Sequence, residues 1–109
     1  MLYLGTKNIH LDGNRLKIPS KFKGESWLVS TGSDGDCNYL ELYPPGLPHE
    51  GREISRRFTL TREEMSHLEV PKNGGLLILG QRTHLEVWEE STYDKWEKKV
   101  IREYENHHV

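Results

Sequence analysis

The chain has 109 residues, 34% of them hydrophobic and 29% charged, which fits one domain with a modest core and excludes an enzyme built from separate cofactor and substrate domains. No run approaches the ~20 consecutive apolar residues of a membrane span, the start Met1-Leu2-Tyr3-Leu4-Gly5 lacks the basic segment and long apolar run of a signal peptide, and the single Cys37 allows neither an intrachain disulfide nor a thiol pair for a metal, so a cytoplasmic protein is expected. The net charge of −2 hides an asymmetry: residues 1–62 hold nine Lys and Arg against seven Asp and Glu, a balance of +2, and residues 63–109 hold six against ten, a balance of −4.

In chain order, the first expected strand is Arg15-Leu16-Lys17-Ile18, preceded by the turn Leu11-Asp12-Gly13-Asn14. Trp27-Leu28-Val29-Ser30 and Tyr39-Leu40-Glu41-Leu42-Tyr43 follow as a hairpin whose tip is expected over Ser33 to Asn38. Pro44-Pro45-Gly46 ends it, because proline cannot continue a ladder. Arg57-Phe58-Thr59-Leu60 is the next strand. Thr61-Arg62-Glu63-Glu64 then has the spacing of a capping box and predicts a short helix to Leu68, with Met65 and Leu68 toward the core. After the turn Asn73-Gly74-Gly75 come the strands Leu76-Leu77-Ile78-Leu79 and His84-Leu85-Glu86-Val87-Trp88. From about Ser91, the spacing of Tyr93, Trp96, Val100, Ile101 and Tyr104 predicts an amphipathic helix to about residue 106.

The order of these elements is written twice. Arg15–Pro19 answers Arg57–Thr61 at an offset of 42, Tyr39–Tyr43 answers His84–Trp88 at an offset of 45, and Trp27-Leu28-Val29 answers Leu76-Leu77-Ile78 between them. Gly32 and Gly80 each follow an apolar strand and are expected to open a hairpin. A half of about 45 residues is too small to hold a core by itself, so the two halves are expected to close on each other around a pseudo-twofold axis. The expected organisation is one domain over 1–109, with repeat one at about 1–46, repeat two at about 52–90 and the C-terminal helix at about 91–106.

Catalytic and cofactor motifs are absent from the pattern. Asp34-Gly35-Asp36-Cys37-Asn38 begins like a calcium loop, but Tyr39 stands at the required glycine and Pro45 at the bidentate acid, so it reads as a hairpin tip. His84 and Glu86 share a strand face and, with His67, supply no positioned third ligand, so they read as solvent-facing strand residues. No nucleophile elbow, phosphate loop or dinucleotide fingerprint occurs. The expectation is a protein that is not an enzyme, with no cofactor, no metal and no small-molecule substrate.

Three stretches resemble the MraZ proteins, two-repeat members of the AbrB-like swapped-hairpin group. They are Leu11-Asp12-Gly13-Asn14-Arg15-Leu16-Lys17-Ile18-Pro19, Leu40-Glu41-Leu42-Tyr43-Pro44, and Leu77-Ile78-Leu79-Gly80 with Leu85-Glu86-Val87-Trp88-Glu89 and Trp96. The likeness is to a compact or divergent member: Asp12 and Arg15 are three apart rather than four, Asn14 and Arg56 take the place of glycine, Glu53 replaces Asp, and the joining segment Pro44–Arg52 is short. Asn14 can supply the left-handed conformation of the missing glycine. The resemblance implies a mainly β fold with short helices, a swapped-hairpin barrel of two pseudo-twofold repeats plus the C-terminal amphipathic helix.

It also implies a DNA-binding transcriptional regulator that binds short direct repeats upstream of a cell-division and cell-wall operon as a homo-oligomer, in the cytoplasm and associated with the nucleoid. Arg15 and Arg57 would bring guanidinium forks to base edges, Lys17, Lys21, Lys23, Arg52, Arg56 and Arg62 would contact phosphates, and Asp12 and Glu53 would orient the neighbouring arginines. Two other readings share the fold: a protein-interaction module without DNA binding, and a MazE-like antitoxin.

Overall fold

The computed structural model describes residues 2–46 and 49–107. Met1, His108 and Val109, and Leu47 and Pro48 of the segment joining the halves, lie outside the described residues. The chain runs β1 (Thr6–His10), β2 (Arg15–Lys17), β3 (Ser26–Asp34), β4 (Cys37–Tyr43), β5 (Arg52–Ser55), β6 (Arg57–Thr59), α1 (Arg62–Leu68), β7 (Gly75–Gly80), β8 (Leu85–Glu89) and α2 (Glu90–His107). It is mainly β with two helices.

Six strands form one antiparallel sheet in the order β1-β7-β8-β4-β3-β5, and β2 and β6 form a separate two-stranded ribbon. The pairing list is unchanged when β1–β4 and β5–β8 are exchanged. β1 pairs with β7 as β5 pairs with β3, β3 with β4 as β7 with β8, and β4 with β8 and β2 with β6 pair across. The first strand of each half is therefore hydrogen-bonded to the third strand of the other. Among the described residues no ladder joins the edge strands β1 and β5 to each other.

The main core lies between the sheet and the ribbon. Leu16 and Phe58 point inward from the ribbon to meet Trp27, Leu40, Leu42, Leu76, Ile78, Leu85 and Val87. Strand β7 explains the next layer. Its run Leu76-Leu77-Ile78-Leu79 is apolar at every position, so it needs cover on both faces, and Leu77 and Leu79 join Cys37 and Trp88 in a second cluster on the sheet's other side. There α2 supplies the cover: Trp88 lies 5.4 Å from both Tyr93 and Trp96, and Tyr39 stacks on Trp88 at 4.6 Å. The ribbon and α2 thus sit on opposite sides of the sheet.

Helix α1 starts as the sequence predicts. Thr61 Oγ1 accepts from the Glu64 amide at 3.1 Å and Glu64 Oε1 accepts from the Thr61 amide at 2.8 Å, while Leu68 is buried and Met65 packs partly buried against the core. Its end needs a left-handed residue, which is Glu69 at φ 56° rather than a glycine.

Several expectations are corrected. Strands β1 and β5 are additional to the sequence-predicted set; Thr6-Lys7-Asn8-Ile9-His10 is mostly polar and exposed, and only its ladder to β7 makes it a strand. The hairpin tip is Gly35-Asp36 alone, because β3 runs on to Asp34 and β4 resumes at Cys37. Gly32 lies inside β3 opposite Tyr39, where a Cβ would come within 2.5 Å of the Tyr39 ring; the glycine makes room for that ring and opens no turn. Helix α2 is laid on the sheet only through its first half, and Val100, Ile101 and Tyr104 are exposed.

Candidate nucleic-acid interface

Three residues per strand alternate out, in, out along the ribbon. Arg15 stands opposite Thr59, Leu16 opposite Phe58, and Lys17 opposite Arg57. Since Leu16 and Phe58 are fixed in the core, Arg15, Lys17, Arg57 and Thr59 must share the outward face, and all four are exposed. This face forms the floor of an open cleft of about 420 Å³, lined also by His10 and Asp12.

The turn before β2 is held by the other half of the chain. Asp12 and Arg15 exchange two backbone hydrogen bonds, at 3.0 and 2.9 Å, around the two-residue turn Gly13-Asn14. The left-handed residue there is Gly13, at φ 64°, not Asn14 as the resemblance suggests. The Gly13 amide donates to Asn73 Oδ1 at 2.7 Å, the Asn73 amide donates back to the Gly13 carbonyl at 2.8 Å, and the Leu60 amide donates to the Asn14 carbonyl at 2.8 Å. Asn73 itself takes φ 61°, a conformation that asparagine adopts more readily than most residues. The ribbon is therefore presented by a braced turn rather than a loose loop.

The acids do not do what was expected of them. Among the described residues no hydrogen bond or ion pair joins the Asp12 carboxylate to Arg15, or Glu53 to Arg57. Arg15 is aimed by the backbone bridge and by strand alternation, and Arg57 by alternation alone. Nor do the described residues give Arg15, Lys17 or Arg57 a hydrogen-bond or ion-pair partner for its side chain. Lys17 and Arg57 face each other across the ribbon, a like-charge arrangement that disfavours the strand pairing and that an anion would relieve.

The neighbouring arginines are spent on the fold, which corrects their expected phosphate contacts. Arg56, the one residue between β5 and β6, donates from Nη1 to the carbonyls of Phe22 and Gly24, at 2.8 and 2.7 Å, and from Nη2 to those of Ile18 and Pro19, at 3.1 and 2.7 Å. Its guanidinium also lies 5.5 Å from the Trp27 ring centroid. Arg52 Nη2 donates to Glu64 Oε1 at 2.6 Å and to the Thr59 carbonyl at 3.3 Å, so one buried carboxylate completes the cap of α1 and ties β5 to it. Lys21, Lys23 and Arg62 are exposed beside the ribbon's flanks in sequence, with the Lys21 ammonium 5.4 Å from the Phe22 ring. Sequence reasoning missed His10 and Thr59 as walls of the cleft and Asn73 as a brace; the Asn73-Gly74 turn signal was the trace of the last.

No family model matches the chain, and no curated protein matches it.

A second polar cluster lies on the side of the sheet away from the ribbon. Glu41 and Glu86 are directly opposed on β4 and β8. The Tyr43 hydroxyl donates to Glu41 at 2.6 Å, while the Trp88 indole and the Gln81 amide donate to Glu86 at 3.0 and 3.2 Å. His84 and Glu86 are not the solvent-facing residues expected: their side chains are 16% and 15% exposed, 3.6 Å apart, and the His84 ring stacks on Tyr43. Burial and the adjoining Glu41 carboxylate push the Tyr43 phenol up to about 12. His67 is elsewhere, its Nε2 donating to the carbonyls of Gly32 and Tyr39, which fixes the Nε2–H tautomer for the neutral ring. Among the described residues no group of three or more His, Cys, Asp or Glu side chains is arranged to hold a metal ion, and no helix is long and apolar enough to cross a membrane.

Proposed function

We propose that this protein is a MraZ-like transcriptional regulator, a two-repeat swapped-hairpin barrel that grips double-stranded DNA with the β2–β6 ribbon. The observation that carries this reading is the outward face of the ribbon, where Arg15, Lys17 and Arg57 stand together without acid partners among the described residues. A two-stranded ribbon fits the ~12 Å width of a major groove, and the exchange-symmetric strand pairing is what a swapped-hairpin barrel requires. Arg15 and Arg57 occupy equivalent places in the two halves and take the base-edge role; Lys17, with Lys21, Lys23 and Arg62 farther out, takes phosphates.

Three residues per strand span only about 10 Å, so one copy touches two or three base pairs and binds weakly. Self-association of copies on short repeated DNA sites supplies the rest through effective concentration. The reading extends to regulation of a cell-division and cell-wall operon from a nucleoid-associated position. The ordered α2 weighs against a MazE-like tail, because Trp96 anchors it on the sheet and donates to Asp34 at 2.7 Å.

Fluorescence anisotropy against the DNA upstream of the gene and a scrambled duplex, at several salt concentrations, tests the proposal. Selective binding with a salt slope of about 0.9 per phosphate contact is expected. Equal, negligible binding to both duplexes at low salt overturns it and leaves the fold as a protein-interaction module.

A further inference from the structure

A second concentration of positive charge lies on the far side of the sheet from the ribbon, where α2 passes the tip of the β3–β4 hairpin. Lys95, Lys99 and Arg102 follow one another at spacings of four and three residues, so the helix brings them to one face within about 60° of each other. Together with Asp36 of the tip they line an open cleft of about 490 Å³. The two lysines are used differently. Lys95 Nζ donates to Asp36 Oδ2 at 2.7 Å, which ties helix to hairpin. The Lys99 ammonium lies against the tip itself: a Cβ on Gly35 would come within 2.9 Å of it, so the glycine leaves room for that approach.

The cleft is short of acids. Asp36 is its one acidic wall among the described residues, whereas Asp94 of the same helix pairs with Lys98 at 2.9 Å and neither of those two lines the cleft. Three cations and one acid leave the cleft at a balance of +2. Among the described residues no hydrogen bond or ion pair takes up the Lys99 ammonium or the Arg102 guanidinium. Like charges three and four residues apart repel along a helix, and an anion held between them offsets that cost.

We propose that the cleft between α2 and the hairpin tip binds a phosphate monoester or free phosphate, held by Lys99 and Arg102 with Lys95 shared between the ligand and Asp36. Such a group carries a charge of about −1.5 to −2 at pH 7 and three strong acceptor oxygens, which matches the balance of the cleft. The planar Arg102 guanidinium suits two of those oxygens side by side, and the Lys99 ammonium supplies a point charge for the third. A carboxylate would be matched by Arg102 alone, and the diester phosphates of a nucleic-acid strand carry one charge each. The walls are exposed, so binding is weak and falls with salt. The site is separate from the ribbon, and the inference goes beyond the DNA reading without depending on it.

Titration of the full chain with inorganic phosphate and with AMP, against chloride at equal ionic strength, tests it through the amide resonances of Gly35 and Asp36. Saturable shifts with both phosphates and none with chloride are expected. AMP binding tighter than phosphate assigns the site to an ester, and equal binding assigns it to the phosphate group alone. Lys99→Gln and Arg102→Gln are each expected to weaken binding about fivefold. Asp36→Asn removes the competing acid and is expected to tighten it about twofold or more, a gain that loss of the Lys95 tie or of folding cannot mimic. Lys98→Gln, which removes the same charge outside the cleft, and Arg57→Ala on the ribbon should leave it unchanged. Shifts no larger with phosphate than with chloride overturn the proposal. So does a Lys98→Gln protein weakened as much as Lys99→Gln, or an Asp36→Asn protein that binds more weakly than the wild type.

Discussion

The ribbon and the strand crossing beside it carry the same residue types in adjacent positions, and their guanidinium groups end in different surroundings. Arg57 points outward from β6, where no described acid or carbonyl meets it, whereas Arg56 turns back and donates to four carbonyls of the segment from Ile18 to Gly24. Alternation makes the difference. Phe58 is committed to the core, so Arg57 beside it must face out, while Arg56 sits at the break between two strands, where the backbone can aim it sideways at the carbonyls of the segment from Ile18 to Gly24. A cluster of arginines is thus not one site: its members divide between holding the fold and meeting a ligand according to one residue of register.

That contrast is sharpened most by exchanging the two side chains for alanine. Arg56→Ala leaves carbonyls without their donor and is expected to cost about 2–3 kcal/mol, lowering the melting temperature by about 10 °C or more, with little change in DNA affinity while the protein is folded. Arg57→Ala is expected to leave stability within about 0.5 kcal/mol, to weaken DNA binding by about tenfold or more and to reduce the salt slope by about 0.9. Calorimetry and salt-titrated anisotropy on both variants check the pair, and the division fails if Arg56→Ala is stable or if Arg57→Ala binds like the wild type.

A smaller effect is expected at Arg52. Its ion pair with Glu64 is 2.6 Å long, but the Arg52 side chain is 40% exposed, so solvent screens much of the gain. Arg52→Ala is expected to cost about 1 kcal/mol in urea unfolding, and Glu64→Gln to cost as much or more, since it also weakens the cap on Thr61. Equal stability of Arg52→Ala and wild type would return Arg52 to the candidate DNA contacts.

The smallest effect concerns the far face of the sheet and appears only in alkali. The Tyr43 phenol is raised to about 12, so the folded state keeps its proton after the unfolded chain has lost it. The stabilisation is complete below the ordinary tyrosine value of about 10 and is lost as pH rises toward about 12. In Tyr43→Phe this part of the alkaline decline in the unfolding midpoint should disappear, and phenolate absorbance should lack its latest-titrating step.

Much of this architecture was legible in the residues. The capping box of Thr61 and Glu64, the six sequence-predicted strands and the start of α2 follow from local rules, in which a hydroxyl, an acid or an alternation of apolar side chains acts within a few residues of itself. The equivalence of Arg15 and Arg57 was legible for the same reason, and the ribbon places both on one face. Strands β1 and β5 were not, since polar edge strands exist by virtue of the ladder they join, and β7 and β3 supply those ladders from the other half of the chain.

Composition and pattern by themselves determined the mainly β class, the two helices and the residues able to carry positive charge to an anion. Only the tertiary structure decided which of those charges remain available. Arg52 and Arg56 found partners 12 and 32–38 residues away, Asn73 braced a turn 60 residues earlier, and Arg15, Lys17 and Arg57 were left facing out together. A side chain's charge is a local property, but whether it is satisfied depends on which carbonyl or carboxylate the folded chain brings within hydrogen-bonding distance, and that is settled only when distant segments meet.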